Sequence, residues 1–219
     1  MTRHPVSVMM PYRATPSRQP LQVAVSRWWQ NNFEITPTTL DTSHKIFNLA
    51  AVRNRCVDES PTEIVIVTDA DIICERDAII EAIEIVATTG NTCIPYDKHH
   101  VLTHLGTSNY LRGQDIAKQS HTKFESTDGG IIVTTKSMWD QHNGQDERFV
   151  GWGGEDICWA LAYETLIGSL TRVDAIAWTM HHQPAPRHID SDNKSRLRTR
   201  YLEAQGDPVK MTELIRGNR

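Results

Sequence analysis

At 219 residues, 39% of them hydrophobic and 23% charged, the chain has the composition of a globular protein and is long enough to bury one substantial core. Its formal net charge of -4 excludes the strong positive field expected of a nucleic-acid or acidic-membrane binder, so a small molecule is the expected partner and nucleic acid an improbable one. No apolar run approaches the roughly 18 residues that a bilayer span needs, and no membrane insertion is expected. Cys56, Cys74, Cys93 and Cys158 stand far apart without a CxxC pair, which suits reduced core residues and a cytoplasmic setting.

In chain order, "PVSVMM" (residues 5–10) is a short apolar run stopped by Pro11, and "EIVIVTDAD" (63–71) is a stronger one; both predict buried strands. Between them, Leu21, Val25, Trp28 and Trp29 fall at helical spacing, as do Ile46, Leu49 and Ala50 behind N-cap candidates at Thr42 or Ser43. Ile79, Ile80, Ile83, Val86 and Ala87 form one further helix face, with Gly90 as its stop. The region from Lys98 to Phe124 carries no clear period. Beyond it, "GGIIVTT" predicts a strand, "KSMWDQHNG" a short helix, "EDICWALAYETLIG" a helix ending at Gly168, and "TRVDAIAWTMHH" a late strand. Strands alternating with helices give an α/β architecture, a mainly parallel mixed sheet flanked by helices. From Gln183 onward, Pro, Asp, Arg and Lys dominate and predict a mobile loop or surface tail, so the expected organisation is one domain over 1–183 and a lid loop and C-terminal tail over 184–219.

Ligands of open α/β sheets gather beyond the carboxyl ends of the strands, where three polar clusters fall: "PYR", "DAD" and "HH". Asp69 and Asp71, separated by the small Ala70, are able to aim two carboxylates at one hard cation; the same pair would equally well cap a helix starting near Glu75. His181 and His182 end a predicted strand, from which an imidazole would complete a carboxylate-rich metal site or simply be a satisfied surface or core residue. His99, His100 and His104 read as structural, with zinc a lesser alternative.

The stretch "ERFVGWGGEDICWAL" (147–161) sets glycines around an indole directly before two acids. Gly153 and Gly154 allow backbone to approach a ligand, Trp152 offers a flat face for a sugar ring, and Glu155 with Asp156 open a helix, where the dipole favours carboxylates. Two acids beside a stacking indole suit acceptor binding and a general base, since a hydroxyl is a poor nucleophile until its proton is removed. A plain glycine turn with Trp152 in the core is the alternative.

Together, "GWGGED" and "VTDAD" resemble the GT-A fold glycosyltransferases, above all the beta-1,4-galactosyltransferase group. "VMMPYR", "IFNLAAVRN" and "DGGIIVTTKSMW" resemble that group's segments in the same order, so the resemblance runs from about Val6 to about His182. It implies a metal-dependent transfer of a hexose or N-acetylhexosamine from a UDP-sugar to a hydroxyl acceptor on a glycan or protein, with Mn²⁺ (or Mg²⁺) as cofactor. Pro11, Tyr12 and Arg13 would line the uridine and phosphate pocket, with Phe47 and Asn48 nearby. Asp71 would bind the metal, Asp69 the ribose or the metal region, and one of His181 and His182, preferably His182, would be the remaining protein ligand. Gly129 and Gly130 would lie under the donor sugar, Trp152 and Glu155 would hold sugar groups, and Asp156 would be the catalytic base. The polypeptide N-acetylgalactosaminyltransferases share the Trp-Gly-Gly-Glu core but carry Asn where Asp156 stands and retain configuration, so Asp156 points to inversion.

Two departures from the group's pattern stand out. Later acids are absent after Asp156, and the group's helix has Arg where this chain has Leu49, leaving Arg13, Arg18 or Arg53 to compensate. A membrane anchor is not expected, so a compact bacterial or viral cytoplasmic version is the simplest account. Residues 184 to about 198 would close as a lid over the donor and exclude water. A sugar-nucleotide hydrolase, a nucleotidyltransferase, and a carbohydrate-binding protein on a degenerate fold are the competing readings.

Overall fold

The computed structural model describes residues 3–124, 128–151, 153–183 and 191–219. The first half of the chain builds β1 (Val6–Pro11), α1 (Gln19–Phe33), β2 (Thr38–Leu40), α2 (Leu49–Asp58), β3 (Ile64–Thr68), β4 (Ile72–Cys74) and α3 (Arg76–Thr89). The second half adds β5 (Cys93–Ile94), β6 (Lys98–Leu102), α4 (His104–Leu111), β7 (His121–Phe124), β8 (Ile131–Thr135), α5 (Lys136–Gln141) and α6 (Glu155–Leu166). It closes with β9 (Thr171–Arg172), β10 (Ile176–Thr179), α7 (Ser191–Ala204) and α8 (Pro208–Ile215).

Every residue of β3 is buried, which is why its run of Ile, Val and Thr is continuous rather than alternating. In α1, Leu21, Val25, Trp29 and Phe33 recur every four residues and bury one stripe. Ala78, Ile79, Ala82, Ile83 and Val86 do the same for α3, which stops at Gly90 in the left-handed conformation. All four cysteines are free and buried, and among the described residues no helix is long and apolar enough to cross a membrane.

Two sheets result, six strands in the order β2-β1-β3-β8-β5-β9 and four in the order β4-β10-β6-β7. In the larger sheet β8 runs antiparallel to both neighbours while the other pairs are parallel. That reversal matters for the site. Pairing Thr68 with Ile131 brings the start of β8 to the carboxyl end of β3. There the Asp69 N–H donates to the Gly130 carbonyl at 2.7 Å. In the smaller sheet Ile72 pairs with Thr179, and the Met180 N–H reaches the Asp71 carbonyl at 2.7 Å. Register thus carries the residues after β10 to the acids after β3.

Three sequence expectations are corrected. Helix α2 starts at Leu49, capped by Asn48 through its side chain, and not at Thr42 or Ser43. The reason is that Arg13 takes the carbonyls of Thr42, His44 and Lys45, which a helix there would need. The late strand is two strands, β9 and β10, belonging to different sheets. The tail expected to be mobile instead forms α7 and α8 over 191–204 and 208–215. Leu197, Tyr201, Ala204, Met211, Leu214 and Ile215 pack there with Phe149, Cys158 and Ala162 as a second core.

Candidate active site

The ends of β3 and β10, the start of β8 and the start of α6 converge on one group of acids. Asp71 is 5% exposed and its Oδ2 meets His182 Nε2 at 2.7 Å and Arg18 Nη2 at 3.1 Å. Burial alone would raise its pKa, but the contacts with His182 and Arg18 carry it below the usual carboxylate value. The same contact, against the opposing effect of burial, holds the His182 imidazole above its ordinary value. His181 takes another course: its backbone N–H donates to Thr107 Oγ1 at 2.7 Å and its ring sits edge-on to His104 at 5.6 Å.

Asp69 lies two residues away in a different setting. Both of its carboxylate oxygens accept from Arg53 Nη2 at 2.9 Å, and burial, only partly offset by Arg53, raises its pKa. The two acids therefore do not aim at one cation. Nor do they cap a helix, because β4 intervenes before α3 begins. Among the described residues no cluster of three or more His, Cys, Asp or Glu side chains forms a closed metal cage. Asp71 and His182 are an oxygen and a nitrogen donor in contact, a set that suits Mn²⁺ or Mg²⁺ where substrate phosphates and water supply the remaining ligands. The residues fit such an ion.

At the start of α6 Gly154 serves as N-cap at φ 102, and Glu155 and Asp156 form the first turn. Glu155 is 3% exposed, and its Oε2 has no hydrogen-bond partner among the described residues. Burial first, then the neighbouring Asp156, push its pKa up, while Arg53 acts in the opposite sense. Asp156 is half-buried. A Cβ on Gly129 would stand 2.9 Å from Asp156 Oδ2, so glycine there makes room for the carboxylate. Gly130 has φ +88, and a Cβ would meet Ile72 Cδ1 at 2.7 Å and Tyr96 Oη at 2.9 Å. The buried Tyr96 hydroxyl donates to the Gly129 carbonyl and fixes this turn.

Of the other residues singled out in the sequence, Pro11 ends β1 beside β2, and the N–H of Tyr12, just after it, donates to the Leu40 carbonyl at 2.8 Å. Arg13 turns to the loop, donating to Asp41 Oδ2 at 2.7 Å and Oδ1 at 2.9 Å, with its guanidinium 5.4 Å above the Phe47 ring. Asn48 is buried and committed to its cap and to the Glu147 carbonyl. Of the three arginines able to compensate for Leu49, then, Arg18 and Arg53 reach the acids and Arg13 does not. His99 bonds Thr179 Oγ1 at 2.8 Å and His100 stacks on His121 at 3.9 Å, in keeping with structural parts. Trp152 and the lid segment 184–190 lie outside the described residues; the remainder of the expected lid belongs to α7.

Two residues were missed. Buried Asn54 accepts from Trp139 Nε1 at 3.1 Å and from the Gln145 N–H at 2.8 Å, and donates to the Gln145 carbonyl at 2.8 Å. Gln145 in turn accepts from Arg53 Nη1 at 3.3 Å. The visible clue was an Arg-Asn pair inside an otherwise apolar helical pattern, where an amide is a weak helix former and needs a partner.

Residues 116–177 match the family model described as the N-terminal domain of galactosyltransferase. No curated protein matches the chain. Among solved structures, the catalytic domain of Drosophila beta1,4-galactosyltransferase 7 in complex with xylobiose is similar at 13% identity and a TM-score of 0.61, over 90% of this chain and 79% of that one. A mutant of the Drosophila enzyme in complex with manganese, UDP-Gal and xylobiose is similar at 15% identity and TM-score 0.53, over 87% and 74%. GalNAc-T7 with UDP, GalNAc and Mn²⁺ is similar at 10% identity and TM-score 0.59, over 92% of this chain and 48% of that one. The fold is the GT-A fold of these proteins, mixed in its sheet and flanked by helices.

Proposed function

We propose that this galactosyltransferase-like chain of GT-A fold transfers a hexose or N-acetylhexosamine from a UDP-sugar to a hydroxyl of a glycan or protein acceptor, with inversion at the anomeric carbon. The observation that carries the reading is the joining of two unlike acid sites by the Asp69 N–H on the Gly130 carbonyl. At one, Asp71 touches His182 at 2.7 Å, and at the other Asp156 lies against Gly129, which leaves it room.

Asp71 and His182 would hold Mn²⁺ (or Mg²⁺), which when bound supplies Lewis-acid stabilisation to a departing diphosphate. Arg18, beside Asp71, adds a cation on the diphosphate side. Asp156 accepts the acceptor's hydroxyl proton as that oxygen bonds to the anomeric carbon. The bond from carbon to diphosphate oxygen breaks, and its electron pair leaves on UDP. Glu155, with a free oxygen facing the same region, receives a sugar hydroxyl. Support comes from the set of these residues in one place on a fold whose solved relatives bind manganese and UDP-sugar or UDP.

The test is UDP release from a panel of UDP-sugars with Mn²⁺ or with EDTA, with and without sugar acceptors. Metal-dependent, acceptor-stimulated release supports the reading, and the anomeric configuration of the product, read by NMR, decides inversion. Release of free sugar that no acceptor suppresses would make the protein a hydrolase. Binding of UDP-sugar without turnover would make it a sugar-nucleotide-binding protein.

A further inference from the structure

Arg53 is the one Arg or Lys that is buried among the described residues, at 2% exposure. Its two terminal nitrogens point two ways. Nη2 holds both oxygens of Asp69 at 2.9 Å, at the end of β3, and Nη1 meets Gln145 Oε1 at 3.3 Å, in the loop that leads to the glycines and α6. The next residue, Asn54, grips the backbone of Gln145 from the same helix. One step of α2 therefore joins the end of β3 to the loop before α6.

Charge gives this bridge a second consequence. Asp69, Glu155 and Asp156 all lie within electrostatic reach of the Arg53 guanidinium. Glu155 is faced by Asp156 and Cys158 from its own helix, by Asp69 from the end of β3, by Arg53 from α2 and more weakly by Lys194 from α7. Of these groups the two cations differ sharply in depth: Arg53 is buried and Lys194 is not. A nearby cation favours the charged form of a carboxylate, and Arg53 opposes the effect of burial on Glu155.

We infer that Arg53 is a positioning residue for the transfer proposed above, tying the end of β3 through Asp69 to the loop before α6 through Gln145 and setting a positive charge beside Glu155 and Asp156. A guanidinium suits this because its planar fork reaches two partners at fixed angles, which a lysine ammonium does not. The inference rests on the transferase reading for its kinetic part only.

The experiment compares wild type, Arg53→Met, Arg53→Lys, Glu155→Gln and the Arg53→Met/Glu155→Gln pair. In Arg53→Met the acidic limb of the pH profile of kcat/KM moves up by about one pH unit or more, the effect of losing an opposite charge at close range. Arg53→Lys keeps the limb near its wild-type position and lowers kcat, because charge survives while the fork is lost. Thermal unfolding at pH 8 supplies a readout independent of turnover: Glu155→Gln raises the unfolding temperature more in the Arg53→Met background than in wild type, since there the carboxylate has lost its cation. A limb that stays in place in Arg53→Met, or a Glu155→Gln substitution that raises the unfolding temperature no more in Arg53→Met than in wild type, overturns the inference. Where Arg53→Met does not fold, a limb raised by a full unit in Arg53→Lys overturns it and a limb retained there supports it. If wild type releases no UDP, the transferase reading falls and the unfolding cycle alone judges the charge role.

Discussion

Two neighbouring pairs of acids are held in opposite ways. Asp69 and Asp71, beyond β3, each touch a cation: Arg53 for the first, Arg18 and His182 for the second. Glu155 and Asp156, at the head of α6, have glycine at their back, and Glu155 keeps one buried oxygen without a partner among the described residues. A buried carboxylate with its hydrogen bonds made is satisfied at rest, whereas an unsatisfied one is stabilised only when something arrives. At the strand end the acids are therefore paired, while the helix start keeps an oxygen unpaired among the described residues.

Breaking the strand-end side should have the largest effect. Asp71→Ala is expected to lower metal-dependent UDP release by about 1000-fold or more, the several kcal/mol associated with a lost metal ligand, and calorimetry should show weakened Mn²⁺-dependent UDP binding. A variant that keeps wild-type release would remove Asp71 from the metal site. Next comes Asp156→Asn, expected to reduce kcat by about 100- to 10000-fold, the range for a positioned general base. Here UDP binding should survive, and equal loss of binding and rate would mean that the two pairs are not separable.

A subtler disturbance is Gly129→Ala, whose methyl would contend with Asp156 Oδ2 at 2.9 Å. A base displaced by a fraction of an ångström should lose roughly tenfold in kcat with little change in melting temperature; a large drop in melting temperature instead would make the glycine structural. The smallest expected effect is on stability. Because burial and Asp156 raise the pKa of Glu155 above its ordinary 4.5, the folded chain holds that proton more firmly than the unfolded one. Stability from this group is full below pH 4.5 and is lost as pH rises toward the raised folded value. Glu155→Gln should flatten that decline and stabilise the protein by about 1 kcal/mol at pH 8, measured by urea unfolding across pH. A decline as steep as in wild type would show that another group produces it.

The acids themselves were legible in the sequence because they sit where apolar patterns stop: Asp69 and Asp71 after a buried strand, Glu155 and Asp156 before a helical one. Their partners were not. Arg53 and Asp69 are 16 residues apart, Asn54 and Gln145 are 91, and Asn48 and Glu147 are 99. Nothing local in a helix specifies which distant carbonyl an amide will meet. The start of α2 was misplaced for the same reason, since Thr42, Ser43 and Asn48 are all competent caps and only the reach of Arg13 across to the loop decides among them. In the tail, Pro and charged residues drew attention away from Leu197, Tyr201, Met211 and Leu214, whose spacing supplies an apolar stripe once α6 is there to cover it.

That second core has a temporal side. The loop ahead of the glycines is tied to the last turn of α8 and beyond: Asn143 donates to the Ile215 carbonyl, Arg148 to the Leu214 carbonyl, and the Glu147 N–H to the Asn218 carbonyl. Tyr201 and Asn218 also close around buried Asp146 and its partner Arg148. In a chain synthesised from its amino end, β1, β2 and β3, the last leading into Asp69, are free to pair long before these residues leave the ribosome. The loop before α6 gains these ties only after residues 214–218 emerge, so in a nascent chain the paired strands would stand for some time before that loop is held in place.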